Sequence, residues 1–157
     1  MKSSALAIFS LLVLLCYRTT TANSLSGLAV FASGVTTADA VFDTSVDLLK
    51  RSGFPPSTGD RQGGQIEASV TRYHTTNVGG SGSMLEDVSY WKLAISSAKE
   101  GEVKLSIDRG SALEVEEAEI IRFLRDLAVG LKLDPSRVTV TLGERTMPLS
   151  QLRAGRR

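Results

Sequence analysis

His74 is the single imidazole of the chain. It stands in Tyr73-His74-Thr75-Thr76-Asn77, just before Gly79-Gly80-Ser81-Gly82-Ser83 and the acids Glu86 and Asp87. A hydroxyl, an imidazole and a carboxylate in one neighbourhood are the parts of a nucleophile–base–orienter set. The nucleophile elbow, however, needs Gly-x-Ser-x-Gly on a sharp turn between a strand and a helix. Around Ser81 the closing Gly of that pattern is replaced by Ser83. His74 with a loop serine is therefore a catalytic pairing without its motif. The competing reading of His74 is a surface residue at a strand end.

Other chemistries lack their parts. The Gly-rich stretch 77–84 has no Gly-Lys-Ser/Thr opening a helix, so it is not a phosphate-cradling P-loop. It reads as a hairpin loop. Glu114, Glu116, Glu117 and Glu119 crowd one stretch of helix, whereas metal-binding or paired catalytic carboxylates converge from separate elements. One Cys and one His are too few for a Cys/His zinc site. The chain carries no cofactor motif and no metal-ligand spacing. Tyr90-Trp91 is an adjacent aromatic pair, whose two rings point to opposite faces of a strand. One belongs in the core; the other, with Tyr73 nearby, suits anchoring of a protein or glycan partner. The binding candidates are Tyr73, His74, Asn77, Tyr90 and Trp91.

Lys plus Arg is 18 against 17 Asp plus Glu, a net charge of +1, so a dedicated nucleic-acid binder is not indicated. Hydrophobic residues are 42% of 157, enough for one globular domain. Residues 1–22 read as a cleaved signal peptide: Lys2, an apolar run from Ala5 to Cys16, then Thr19-Thr20-Thr21-Ala22. Cleavage after Ser24 is the alternative. The apolar run is too short for a membrane span, which takes about 20 residues. Lipid attachment at Cys16 is the competing fate, and Leu15 fits that processing poorly. Removal of 1–22 leaves a chain without cysteine, hence without disulfides, and without an Asn-x-Ser/Thr sequon. The expected location is secreted or periplasmic, with no membrane span in the mature chain.

The remaining elements must position these residues. In 25–52, Leu28, Phe31, Val35, Ala38, Phe42, Ser45 and Leu49 recur at three- and four-residue steps, which predicts an amphipathic helical arm over 23–52. A break at Gly34, with Thr36 capping a shorter helix, is the alternative. Residues 53–64 read as a Gly/Pro-rich linker, 65–146 as a compact domain and 147–157 as a basic tail. Alternation predicts strands at 65–70, 87–97 and 102–108, joined by a hairpin at Lys99-Glu100-Gly101. Ser111 with Glu114 forms a capping box for a helix carrying Ile120, Ile121, Leu124, Leu127, Ala128 and Leu131. A last strand is expected at 137–142. The expected fold class is α+β: an N-terminal helix and a β-β-β-α-β unit, with a four-stranded, mostly antiparallel sheet and helices on one face.

Together these features indicate an exported, non-catalytic α+β domain that binds another macromolecule. The alternatives are a small hydrolase or transferase using His74 with a loop serine, and an assembly protein that oligomerises through 25–52.

Overall fold

The structure is a computed structural model that describes residues 23–78, 81–98, 100–111 and 115–153. For residues 74–78 and 81–85 it describes the backbone alone. The expected leader, 1–22, lies outside the described residues.

Seven strands form one antiparallel sheet: β1 (Asn23–Phe31), β2 (Pro56–Asp60), β3 (Gln65–Val78), β4 (Ser81–Ser97), β5 (Val103–Ser111), β6 (Val138–Leu142) and β7 (Arg145–Pro148). Their order is β2-β3-β4-β5-β1-β6-β7. The described residues also form two helices, α1 (Ala38–Arg51) and α2 (Glu117–Gly130), and short 3-10 turns at Pro135–Arg137 and Leu149–Gln151.

This corrects the expected four-stranded sheet behind a helical arm. The largest change is at 23–31, which forms a strand in the middle of the sheet, paired with β5 on one side and β6 on the other. The apolar residues there satisfy two periods. Leu28 and Phe31 fit a helix stripe, but Leu25, Gly27, Ala29 and Phe31 also alternate, and the alternation is the one realised. Gly27 shows why: a Cβ there would stand 2.8 Å from Leu142 Cδ2 and 3.4 Å from Ile120 Cγ2, so the bare backbone admits close neighbours. The helical period begins after the left-handed turn at Gly34, φ +71°. The cap of α1 is Thr37, whose Oγ1 accepts the Ala40 N–H at 3.2 Å. The other two unexpected strands are β2, built of Pro, Ser, Thr and Gly, and β7, only four residues long. Neither carries an apolar alternation by which to announce itself.

A second correction concerns Ser111. It ends β5 instead of capping a helix, and α2 starts at Glu117 with Glu116 at its N-cap and no side-chain cap. Glu114 lies outside the described residues. Residues 147–152, read from sequence as the start of a loose tail, contribute Leu149 and Leu152 to the buried core.

One face of the sheet is buried. Ala29 and Phe31, Ile66 and Ala68, Trp91, Leu93 and Ile95, Val103, Leu105 and Ile107, and Val138, Val140 and Leu142 share it through their registers. Helix α1 adds Val41, Phe42 and Leu49, and α2 adds Ile120, Ile121, Phe123, Leu124, Leu127 and Ala128. Each Val, Leu, Ile or Phe side chain among them, taken fully from water, contributes about 1.5–3 kcal/mol.

The turn at 61–64 locks the start of β3 to this core. Arg61 reaches Asp43 and, at 3.4 Å, Asp39 on α1. The bond to Asp43 holds the guanidinium protonated above its usual range. Gly64 has φ +65° and its carbonyl accepts the Ile95 N–H at 2.8 Å. A Cβ on Gly64 would collide with the Ile95 carbonyl oxygen. Gly64→Ala is therefore expected to cost about 3 kcal/mol, combining left-handed strain with the loss of that approach. Urea unfolding measures it, and a loss below about 0.5 kcal/mol would contradict the account.

Candidate functional site

Two places on the molecule gather polar or aromatic groups beyond what the core requires. The first lies where β4, β5 and the start of α2 meet. Arg109 occupies an inward position of β5, following Val103, Leu105 and Ile107, and is 6% exposed. A guanidinium taken out of water must be paired and hydrogen-bonded. Here Nε donates to Glu119 Oε2 at 3.0 Å, while Nη1 donates to the Tyr90 carbonyl at 3.3 Å and to the Gly110 carbonyl. Its flat faces meet Phe54 and Trp91, with ring centroids 5.2 Å and 5.3 Å from Cζ. Trp91 in turn stacks on Phe123 at 5.0 Å. The end of α1 places Phe54, whose N–H bonds the Leu49 carbonyl at 2.8 Å. The first turn of α2 places Glu119.

Beside this centre, buried Ser111 donates to Asp87 Oδ1 at 3.3 Å and shares a hydrogen bond with Ser89 Oγ at 3.0 Å. Above it opens a cleft of about 730 Å³ whose lining includes Leu48, Phe54, Arg72, Trp91, Arg122 and Asp126. Three arginines and three carboxylates line it, so its charges balance. Among the described residues, the lining offers hydroxyls at Ser52 and Ser89 and carboxylates at Glu116, Glu119 and Asp126.

The second place is the β3–β4 ribbon. Pairing of β2 with β3 reaches Ala68, and pairing of β5 with β4 reaches Tyr90. The β3–β4 ladder continues far beyond both, to Val78↔Ser81. At ~3.3 Å per residue the overhang of β3 is about 30 Å long. Register places Tyr73, Asn77, Val88 and Tyr90 on the side away from the helices. Tyr73 is 63% exposed and Val88 41%, and they are diagonal neighbours through Thr71↔Val88 and Tyr73↔Glu86. Tyr90 is half-buried, with Lys92 Nζ 5.6 Å from its ring. Together they make a small aromatic and apolar patch on an otherwise polar surface.

The sequence candidates are thus divided. Tyr73, Asn77 and Tyr90 share one side of the ribbon. Trp91 faces the helices, buried at 6% among Phe54, Phe123 and Arg109. His74 pairs with Leu85, and Ser83 and Asp87 occupy the flanking register positions across the ribbon. The His74 and Asn77 side chains lie outside the described atoms. Ser81 and Ser83 stand in a strand, not in a loop. Two of the Glu run have structural partners: Glu119 holds Arg109, and Glu117 reaches Arg145 at the start of β7. Arg109 was not singled out by sequence reasoning, and Glu119 was weighed only as one of a run of carboxylates. The signal was present, since Arg109 continues the inward positions 103, 105 and 107 and so puts a charge where the pattern asks for an apolar residue.

Among the described residues, no helix is long and apolar enough to cross a membrane. No family model matches the chain, and no curated protein matches it. A solved structure of a DUF4468 family protein from Bacteroides ovatus is similar over 81% of this chain, at 10% identity and a TM-score of 0.32. The chain spans 59% of the length of that protein.

Removing one partner of the Arg109 centre leaves the other in a low-dielectric site. Arg109→Ala is expected to cost about 3–5 kcal/mol, since it also strips the rings of their packing partner. Glu119→Gln, with the carboxylate one-third exposed, is expected to cost about 1 kcal/mol. Chemical denaturation of the two variants checks this order, and equal losses would refute it.

Proposed function

We propose that this chain is an exported, non-catalytic module that binds another macromolecule, a protein or a glycan, through the helix-free side of its β3–β4 ribbon. The observation that carries the reading is the exposure of Tyr73 beside Val88 on a ribbon that projects beyond the sheet. An aromatic ring with a polar hydroxyl supplies large contact area at low entropic cost. Placed on a projecting element, it reaches a partner without hindrance from the domain body. Export rests on the leader pattern of residues 1–22.

The test uses the tagged chain and the extracytoplasmic fraction of its own source. Bound proteins are read by mass spectrometry and bound glycans by composition analysis. A specific partner is expected, and Tyr73→Ala combined with Val88→Ser should weaken its capture by about tenfold or more while leaving the thermal transition in place. Capture unaffected by the double substitution would remove the ribbon from the proposal. A turnover abolished by His74→Ala in the folded chain would replace binding with catalysis as the function.

A further inference from the structure

The sheet treats its edges unequally. Its two terminal strands are guarded. β2 has five residues, begins at Pro56 and shifts register between Pro56 and Thr58. β7 has four residues and ends at Pro148. Shortness, proline and irregularity are the devices by which sheets refuse further strands. The overhang of β3 has none of them. From Ser69 to Val78 it runs regularly against β4, and among the described residues no strand lies on its other side. Ser-Val-Thr-Arg-Tyr-His-Thr-Thr-Asn-Val is rich in β-branched residues, has no proline or glycine, and carries one formal charge, Arg72. A two-stranded ribbon of this length is marginal alone in water, and a third strand stabilises it.

We propose that this edge pairs with the same edge of a second copy of the chain. Any strand meets its own copy antiparallel across a two-fold axis, so the edge is complementary to itself without further design. With one charge in the segment, two copies meet with little repulsion. The guarded β2 stops at Ala68, which leaves the whole overhang free to receive the partner ribbon, tip against root. The product is a four-stranded ribbon, β4-β3 of one copy beside β3-β4 of its partner, continuing one sheet into the other. The contact uses backbone groups at the strand edge, not the Tyr73 face, so it holds whether or not a foreign macromolecule binds.

Sedimentation of the purified chain over a range of concentrations tests this without any foreign partner. A concentration-dependent dimer is expected. Thr71→Lys with Tyr73→Lys, both at exposed positions, brings like charges together across the pair and should weaken dimerisation by about tenfold. Thr58→Lys on the guarded edge should leave it unchanged. Should the double variant fail to fold, amide exchange of the unaltered chain gives the answer: Ser69–Val78 should slow as concentration rises. A monomer throughout, equal weakening by Thr58→Lys, or exchange independent of concentration would overturn the proposal.

Discussion

Strand β1 is the seam on which the molecule depends. Among the described residues, the blocks β2-β3-β4-β5 and β6-β7 have no strand pairing with each other except through it. Nine residues pair along β5 and five of them pair again along β6. The seam is tight because Gly27 has no side chain on the face that Leu142 and Ile120 approach, and because Ala29 two residues on is small. Phe31 then fills the wider end, fully buried. Small residues at Gly27 and Ala29 let Ile120 of α2 approach the middle of β1 closely.

The buried polar centre is the cost side of this arrangement. Arg109 stands in line with Val103, Leu105 and Ile107, where an aliphatic residue would pack without desolvating a charge. It is tolerated because every partner is already in place for another reason. Tyr90 and Gly110 lend carbonyls beside the β4–β5 ladder, Glu119 comes from the helix start, and Phe54 and Trp91 supply ring faces. The pair ties α2 to the sheet at a defined depth and azimuth, which a greasy contact would leave loose. Directional bonds at that point set the position of the helix and so the shape of the cleft.

The β3–β4 ribbon obeys different physics. Beyond Ala68 and Tyr90 it leaves the two neighbours that bury one of its faces, and its composition changes accordingly. Ser, Thr and Asn become frequent there beside Tyr73, with aliphatic residues at Val70, Val78, Met84, Leu85 and Val88. The domain anchors the root through Trp91, Leu93 and Ile66, and the overhang carries Tyr73 and an unguarded edge away from the body.

Residues 65–70, 87–97, 102–108 and 137–142 announced themselves as strands because each has one wet and one dry face, a property local to the segment. The helical stripe from Ile120 to Leu131 was legible for the same reason, as was the stop at Ser52-Gly53, where φ is +81°. The Tyr90-Trp91 pair marked two opposite faces of a strand, and the folded sheet made Trp91 the buried one. What the chain's local pattern left open was decided by partners far away. Residues 23–31 satisfied two periods, and pairing with β5 and β6 chose the strand. β2 and β7 have no pattern of their own and are strands because a neighbour offers hydrogen bonds. Ser111 had the signature of a cap and became a buried strand end beside Ser89 and Asp87. Amphipathic period is written residue by residue, so sequence determines it. Backbone pairing is a contract between segments distant in the chain, and only the folded sheet determines that.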